Sequence, residues 1–317
     1  AYQTDRKNGR PMSREASSAA AARVYDSLRD LPKGLLDSCR PMPLLGKLLM
    51  CPPDEFQVID VKNPHMEGNV GRTKIAVARR QWEQLRLAFE SCGAKVELIA
   101  PVAGCEDMVF CANQTLVGLD AKGRRLCALS RMKHESRRRE VPAFAVWMRA
   151  MGYRIEMLPP EVGFEGSGDA IWHPGRGLLW GGYGFRTDPR AYESLSAWFG
   201  VPVLRMTLKS DRFYHLDTCF CAVDDTTALI HAQALSKEGQ AMVRHIFRNV
   251  IECDDREALE GMACNAASIG GRHVVIQKGN RKTVAALAKL GYEVVEVETS
   301  EYLKSGGSVF CLKMYLF

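Results

Sequence analysis

The residues that decide the fold are A-A-L-A-K-L-G-Y-E-V-V-E-V-E-T, positions 285–299. The first half has the composition of a helix, and Gly291 suits the left-handed conformation that often ends one. The second half alternates apolar and polar residues, which is the period of a strand. The stretch therefore predicts a helix, a tight turn and a strand in direct succession.

The same pattern occurs at four other places in the chain. These copies, the last of them fainter, end at Pro101, Pro159, Leu208 and Cys253. From Pro101 to Thr299, successive strand ends are separated by 58, 49, 45 and 46 residues, and so regular a period indicates a repeat architecture. Five similar units predict a ring with pseudo-fivefold symmetry.

Turn residues lie between the repeated stretches, at 120–123, 173–177, 224–227 and 270–272. They predict a hairpin in each unit, so a unit consists of strand, turn, strand, helix and strand. The strand-like residues 308–317 are expected to close the ring beside residues 47–51. The predicted fold class is α/β: a five-bladed pseudo-symmetric α/β propeller formed by residues 47–317, preceded by an N-terminal extension, residues 1–46.

Composition excludes several classes of protein. With 46% hydrophobic and 25% charged residues in 317, the chain has the average composition of a globular domain, and its net charge of +6 is too small to indicate nucleic-acid binding. An odd number of cysteines, 11, argues against a secreted disulfide scaffold, and no apolar run is long enough for a transmembrane helix. We expect a cytoplasmic protein that binds neither nucleic acid nor membranes.

The N-terminus leaves two interpretations open. Residues 14–23 are rich in Ala, Ser and Arg, as in an organelle transit peptide, although Asp5, Glu15 and Asp26 weigh against that function. The alternative is a short amphipathic helix that runs toward Leu28 and packs outside the core.

Polar motifs follow the repeated strands, and equivalent positions of a ring converge on its axis. These motifs contain Asp107, Glu165, His215, Asp217, Asn265 and Cys311. Cys311 follows a Gly-Gly pair and could be a nucleophile, since a thiolate needs a nearby histidine or positive field. His215 could be its base, with Asp217 two residues later as a partner of the imidazole.

Structural interpretations of the same residues remain open. A cysteine in an apolar strand is often a small core residue, and a lone histidine can be a hydrogen-bonded core residue. Zinc is disfavoured because the chain has no C-x-x-C pair, and its glycines form no dinucleotide fingerprint. The run Arg137-Arg138-Arg139 is interpreted as a solvated face.

Taken together, these motifs resemble the guanidino-group-modifying enzymes of the pentein superfamily, a family of five-bladed rings. The resemblance covers residues 47–317. It rests on M-C-P-P-D-E-F at Met50, N-P-H-M-E-G-N at Asn63, D-M-V-F-C-A-N at Asp107, F-E-G-S-G-D-A at Phe164, G-Y-G-F-R-T at Gly182, F-Y-H-L-D-T-C-F-C at Phe213 and K-S-G-G-S-V-F-C-L at Lys304. The branch that it most resembles is the arginine dihydrolase type.

The resemblance implies roles for individual residues. Cys311 would attack the guanidinium carbon, His215 would act as general acid and then general base, and Glu165 and Asp217 would orient the histidine and hold the guanidinium. Arg131 and Arg186 would bind the substrate α-carboxylate. Further substrate-binding positions would be Asn63, Asp107, Asn113, Asp169 and Gly307. A small guanidino compound would be the ligand, with no metal or organic cofactor, and the protein would be a homo-oligomer.

Asn113 differs from the residue found in two branches of the family, and this difference refines the expected reaction. Arginine deiminases and dimethylarginine hydrolases have Asp at this position, whereas the dihydrolase branch has Asn. The chain is therefore expected to convert arginine to ornithine, ammonia and CO2. Citrulline-forming deimination, dimethylarginine hydrolysis and amidino transfer are the alternatives, and a lapsed enzyme that only binds arginine is the non-enzymatic one.

Overall fold

The computed structural model describes residues 21–317. The part of the extension that it describes contains strand β1, Val24–Tyr25, and a short helix α1, Leu35–Ser38. The expected transit or amphipathic segment lies largely in residues 1–20, outside the described residues. Where the predicted helix continues toward Leu28, the chain instead forms β1, which pairs in parallel with a strand of the ring, Val24 opposite Val203.

Five small sheets follow, and each has the predicted order of strands. The first blade contains β2 (Lys47–Met50), α2 (Ile75–Ser91) and β3 (Lys95–Leu98). The second contains β4 (Thr115–Leu119), β5 (Arg125–Leu129), α3 (Glu135–Arg138), α4 (Val141–Ala150) and β6 (Arg154–Met157). The third contains β7 (Ala170–Trp172), β8 (Leu179–Tyr183), α5 (Ala191–Phe199) and β9 (Val203–Thr207).

The remaining blades repeat this arrangement. The fourth contains β10 (Phe220–Ala222), β11 (Thr227–Ile230), α6 (Lys237–Ile246) and β12 (Asn249–Glu252), and α7 (Asp255–Leu259) follows it. The fifth contains β13 (Ala267–Ile269), β14 (His273–Gln277), α8 (Arg281–Lys289) and β15 (Glu293–Val297), followed by α9 (Ser300–Leu303) and β16 (Met314–Leu316). The prediction of a five-unit α/β ring is confirmed.

In each blade the first strand pairs antiparallel with the second and the second pairs parallel with the third. The ring closes as expected, because β16 supplies the antiparallel partner of β2, with Leu316 opposite Lys47 and Met314 opposite Leu49. The boundary between extension and propeller at residues 46 and 47 stays a prediction.

Glycines end four of the helices before the third strands. Gly93, Gly152, Gly200 and Gly291 have positive φ values of 89°, 84°, 65° and 91°. This left-handed conformation favours glycine, and it turns the chain directly from helix to strand. The repeated sequence pattern therefore has a repeated backbone geometry as its cause.

Burial differs between the strands of a blade. The middle strands β2, β5, β8, β11 and β14 are almost entirely buried, whereas β3, β6, β12 and β15 consist mainly of exposed and half-buried residues. Strand β9 is more buried than the other third strands, and β1 covers its edge. The middle strands are thus enclosed within their blades, and the first strands meet around the axis, where one central pocket is lined by residues from all five of them: Val117, Ile171, Cys221, Ser268 and Tyr315. The connections that leave the blades form the candidate site. Among residues 21–317, no helix is long and apolar enough to span a membrane.

Candidate active site

A small cavity lies where the loops after the blades meet. Its wall combines the loop between β2 and α2 with loops of the other blades. The lining residues used below are Lys62, Asn63, Asp107, Phe110, Asn113, Arg137, Arg186, Tyr214, Ser305 and Cys311. The cavity therefore contains several of the residues that the sequence placed on the axis.

Cys311 is buried in this wall, with 2% of its surface exposed. Its Sγ donates a hydrogen bond to Asp217 Oδ2 at 3.2 Å and accepts one from Asn265 Nδ2 at 3.2 Å. The Asn265 side chain also accepts from the Cys311 backbone N–H at 3.2 Å. The thiol is thus held at a fixed position between a carboxyl group and an amide.

The two glycines before Cys311 allow close packing of the backbone. A Cβ on Gly307 would lie 2.6 Å from the Phe110 ring and 3.3 Å from Cys311 Cβ. Gly306 has φ +77°, and a Cβ there would lie 2.9 Å from Asn63 Oδ1. Both positions require glycine, because a side chain would push the cysteine loop away from the cavity.

The ionisation of Cys311 is coupled to that of Asp217. Burial, and next the charge of Asp217, raises the pKa of the Cys311 thiol well above its usual value. Burial also raises the pKa of Asp217 to about 7, with the Cys311 thiol and Lys313 acting in the opposite direction. The resting state therefore has a neutral thiol.

His215 is oriented by Glu165 rather than by Asp217. Its Nε2 lies 2.6 Å from Glu165 Oε2, and Glu165 also accepts from Arg186 Nη1 at 2.9 Å. The sequence predicted Asp217, two residues later, as the partner of the imidazole. Instead, Leu216–Thr218 form a 3₁₀ turn, and this turn directs Asp217 to Cys311.

Glu165 is completely buried and carries a stable negative charge. Burial acts to raise its pKa, but Arg186 and His215 outweigh burial and hold the pKa of Glu165 well below its usual value. The Lys133 backbone N–H donates a further hydrogen bond to Glu165 Oε1 at 3.0 Å. A carboxylate in this state can fix the imidazole and stabilise its protonated form.

Asn113 faces His215 across Gly168. Its Oδ1 accepts from Arg137 Nη1 at 2.8 Å, whereas its buried Nδ2 has no hydrogen-bond partner within residues 21–317. The prediction that Arg137 belongs to a solvated face is wrong. Arg137 is 5% exposed because Glu140 pairs with its guanidinium and the carbonyl of Asp107 accepts from Nη2 at 3.2 Å.

Asp107 and Asn63 also line the cavity, and Asn63 contacts the loop that carries Cys311. Asp107 forms an ion pair of 3.0 Å with the ammonium of Lys62, which also pairs with Glu106 at 3.0 Å. Asn63 Nδ2 donates to the Ser305 carbonyl at 2.9 Å. The loop between β2 and α2 is thereby attached to the loop that contains Glu106 and Asp107 and to the loop that contains Ser305.

Three other predicted residues occupy different environments. Arg186 is engaged by Glu165 and by the Lys62 carbonyl at 3.0 Å. Arg131 donates to the Leu158 carbonyl at 2.8 Å and lines a neighbouring groove. Asp169 lies behind the cavity, where it accepts from Thr187 Oγ1 at 2.6 Å and the Leu216 N–H at 3.0 Å, and burial raises its pKa to about 6.

The structure thus brings together Cys311, Asp217, His215, Glu165, Asn113, Asp107, Asn63 and Gly307. Sequence reasoning did not include Lys62, Arg137 or Tyr214 among the site residues, and it noted Asn265 without giving it a role. Asn265 had a detectable signal, since it follows its blade by the same interval as Cys311. No sequence signal distinguished Lys62 or Arg137 from surface cations.

The arrangement supports chemistry on a small cation. It offers a buried thiol beside an uncommitted carboxyl oxygen, because Asp217 Oδ1 has no hydrogen-bond partner in the described part of the chain. It also offers an imidazole held by a carboxylate. A planar cation placed against Asp217 would contact Cys311 Sγ and favour its ionisation, since an opposite charge stabilises a thiolate.

No protein-family model matches the chain. It is 34% identical over 273 residues to the bifunctional arginine dihydrolase/ornithine cyclodeaminase ArgZ of Synechocystis, an alignment that covers 84% of this chain and 37% of ArgZ. It is 35% identical over 272 residues to the N(G),N(G)-dimethylarginine dimethylaminohydrolase of Mycobacterium tuberculosis, with 86% of each chain covered. The chain therefore spans little more than a third of the first relative and most of the second.

Solved structures agree with these relatives. The N-terminal domain of ArgZ bound to product, described as an arginine dihydrolase from the ornithine-ammonia cycle in cyanobacteria, superposes with a TM-score of 0.81 and 33% identity, covering 86% of this chain and 97% of that domain. A variant of the same domain, covalently bound to a reaction intermediate, gives the same TM-score, identity and coverage.

Proposed function

Because this chain belongs to the pentein superfamily of guanidino-group-modifying enzymes, we propose that it is a hydrolase that cleaves C–N bonds of arginine or a related guanidino compound. The observation that carries the proposal is the contact between Cys311 Sγ and Asp217 Oδ2 at 3.2 Å, beside the His215–Glu165 pair. A guanidinium bound to Asp217 would present its central carbon to this sulfur.

The proposed first half-reaction is covalent. The guanidinium charge favours transfer of the Cys311 proton to His215, and the thiolate then adds to the guanidinium carbon. The C–N bond to the departing amine breaks, and His215 supplies the proton that the amine takes. Glu165 stabilises the imidazolium before this transfer. The trapped intermediate of the ArgZ domain supports this route.

The second half-reaction uses water. His215, now neutral, removes a proton from a water molecule that adds to the same carbon, and the C–S bond breaks to release a ureido product and restore the thiol. In a dihydrolase the ureido product reacts once more. A second ammonia leaves, and the resulting carbamic acid loses CO2 to give ornithine.

Arginine dihydrolysis is the reaction that we propose first. It is supported by the likeness to the ArgZ N-terminal domain. It is also supported by Asn113, because the dihydrolase branch has Asn at this position. Hydrolysis of dimethylarginine is the second candidate, because the Mycobacterium tuberculosis relative aligns over 86% of both chains. The two reactions differ in leaving group and in the number of C–N bonds broken.

The deciding experiment is incubation of the purified protein with arginine and, separately, with asymmetric dimethylarginine. Ammonia, dimethylamine and the amino-acid product are quantified by mass. Two ammonia per ornithine would support dihydrolysis, and one ammonia per citrulline would make the protein a deiminase. Dimethylamine with citrulline would favour the second candidate.

Two variants test the residues. Cys311→Ser and His215→Ala are expected to abolish turnover with little change in melting temperature, while Cys92→Ser, a buried cysteine outside the cavity, retains activity. Substrate-dependent thermal stabilisation without any product, in the wild-type protein, would instead indicate a lapsed enzyme that binds arginine and would overturn the hydrolase proposal.

Asn113 is tested by Asn113→Asp. A carboxylate here would add a negative charge beside the bound guanidinium and favour a cationic substrate over the neutral ureido group. We expect citrulline to accumulate with about one ammonia per turnover. Unchanged yields of ornithine would remove the proposed role of Asn113 in product choice.

A further inference from the structure

Arg137 is held beside the cavity by acceptors from three parts of the chain. Its Nε and Nη2 donate to the Glu140 carboxylate at 3.3 and 3.2 Å. Nη2 also donates to the carbonyl oxygens of Asp107 and Phe110, at 3.2 and 3.3 Å. The third nitrogen, Nη1, donates to Asn113 Oδ1 at 2.8 Å. Because the guanidinium is planar and is held along its other side, the direction of Nη1 is fixed.

The contact with Nη1 decides how the Asn113 amide is turned. Arginine carries only N–H donors, so the Asn113 atom that faces it must be the carbonyl oxygen. The NH2 group then points away from Arg137, and Nδ2 is buried without a hydrogen-bond partner among residues 21–317. Asn113 is only 2% exposed, and a buried N–H donor is costly unless a ligand accepts from it.

The NH2 group of Asn113 shares its surroundings with His215. A Cβ on Gly168 would lie 2.4 Å from Asn113 Nδ2 and 3.2 Å from His215 Nδ1. His215 Nδ1 also has no hydrogen-bond partner in the described part of the chain, whereas the other ring nitrogen, Nε2, contacts Glu165. Two uncommitted nitrogens thus converge over a residue without a side chain, at a place that we call the Gly168 corner.

An oxygen atom suits both nitrogens of the Gly168 corner. Nδ2 of Asn113 donates and does not accept, so it favours a water or carbonyl oxygen and disfavours the N–H groups of a guanidinium. His215 Nδ1 can remove a proton from a water molecule that lies here. When that water adds to the substrate carbon and the C–S bond breaks, its oxygen becomes the ureido oxygen. One atom can therefore keep the hydrogen bond from Asn113 during hydrolysis.

We propose that Arg137 makes the Gly168 corner specific for oxygen, because it fixes the Asn113 amide with the NH2 group toward His215. Arg137 is then a positioning residue, which acts through Asn113. Without Arg137 the amide is free to turn over, and Oδ1 would accept from the substrate guanidinium as a carboxylate does. The inference rests on the proposed function, to which it adds the group that recognises the ureido product.

The test compares the binding of citrulline and arginine. Cys311→Ser serves as the parent protein, so that neither ligand is consumed, and titration calorimetry measures both Kd values. The test variant adds Arg137→Met and Glu140→Gln together, which leaves no buried carboxylate without its partner. Glu140→Gln alone is the matched control, since it keeps the hydrogen bond from Arg137 to Asn113. Arg137→Leu with Glu140→Gln is a second test variant, and melting temperatures identify the proteins that are folded.

We expect the Kd of citrulline to rise at least about fivefold in the test variants, since the ureido oxygen loses an oriented donor. The Kd of arginine is expected to stay the same or to fall, because an acceptor becomes available to its guanidinium. The Glu140→Gln control should bind both ligands as the parent does. A change that affects the neutral ligand in this direction is not explained by the removal of a charge.

Three outcomes would overturn the inference. The first is a Kd of citrulline that is the same in parent and test variants, or no citrulline binding by the parent. The second is a gain in arginine affinity alone, which loss of the buried positive charge would explain. The third is equal weakening of both ligands, which would give Arg137 only a structural role.

The proposed function fails by a different observation. Absence of turnover of every guanidino compound by the protein with Cys311 intact would overturn the proposed function. The ratio of the two Kd values decides the role of Arg137 separately, in a protein that performs no chemistry. The two failures are therefore distinguishable.

Discussion

Gly168 lies where two functional side chains meet. A Cβ at this position would lie 2.4 Å from Asn113 Nδ2 and 3.2 Å from His215 Nδ1. The absence of a side chain therefore allows the histidine and the amide to face the same space. The site depends on this residue as much as on the groups that react.

Gly168→Ala is expected to lower kcat/KM at least about tenfold, because displacement of His215 or Asn113 by a fraction of an ångström misaligns the reacting groups. Steady-state kinetics measures the loss, with the guanidino compound that the incubation experiment shows to be turned over. Gly46→Ala is the matched control, since its Cβ would meet no atom within 4 Å. Equal kinetics in the two variants would contradict the tight packing around Gly168.

Asp217 predicts a pH-dependent stability. Burial raises its pKa from 3.8 to about 7, opposed by Cys311 and Lys313, so the folded protein retains a proton that the unfolded chain has released. The contribution of this group to stability is complete below about pH 4 and is lost as the pH rises to about 7. Above that pH, its ionisation costs folding free energy.

Asp217→Asn removes this titration. The melting temperature of the variant relative to wild type is therefore expected to rise between about pH 4 and pH 7 and then to level off. Thermal denaturation of both proteins in the same buffers measures the difference. A difference that stays constant across this range would show that Asp217 has an ordinary pKa.

Several candidate site residues that the structure brings together are those whose positions the repeat fixes. Asp107 and Glu165 each follow a repeated strand by six residues, and Asn265 and Cys311 each follow one by twelve, so ring symmetry predicts that these positions converge. Sequence reasoning failed for Arg137, because the partners that bury this guanidinium include Asn113, which is 24 residues away. Lys62 and Lys313 were missed for the same reason, since burial of a charge depends on neighbours that only the fold supplies.

At the scale of elements, hairpin turns and helix ends were predictable and the extension was not. Local chemistry fixes a glycine turn, but whether residues 21–46 form a helix or a strand depends on the edge that they meet. Strand β1 forms because β9 offers an unpaired edge. Arg40 then joins two blades, since its Nη2 donates to Leu119 O at 2.7 Å and Phe199 O at 3.1 Å.

Deletion of residues 314–317 tests the closure of the ring. It would remove β16, expose the edge of β2 and lose the burial of Met314 and Leu316, each worth about 1.5–3 kcal/mol. We expect a fall of at least about 3 kcal/mol in the free energy of unfolding, measured by urea denaturation. Met314→Ala is the graded control, with a smaller loss, and wild-type stability of the deletion would contradict the role of β16.

At the scale of the whole molecule, every blade has two neighbours. Hydrophobic clusters cross the blade boundaries, and one of them joins residues of the third, fourth and fifth blades. A ring of this kind has no terminal unit that can separate without exposing two interfaces. Unfolding is therefore expected to be cooperative over the whole propeller.

This cooperativity is measurable with two probes. The tryptophans at positions 82, 147, 172, 180 and 198 lie in the first three blades, whereas far-ultraviolet circular dichroism reports on all five. We expect both signals to give the same midpoint in urea. An earlier transition in circular dichroism alone would mean that the fourth and fifth blades unfold as a separate unit.

The pairing of Leu316 with Lys47 gives the ring a further property. The other four blades each contain a hairpin, and in the first blade the two strands of that hairpin come from positions far apart in the chain. A circularly permuted protein without residues 1–46, in which a short turn connects these two strands and new ends are opened at the exposed Gly270 turn, would preserve every strand pair within the five blades. In this permuted protein, four blades would have the same connectivity, and the remaining blade would carry the new chain ends.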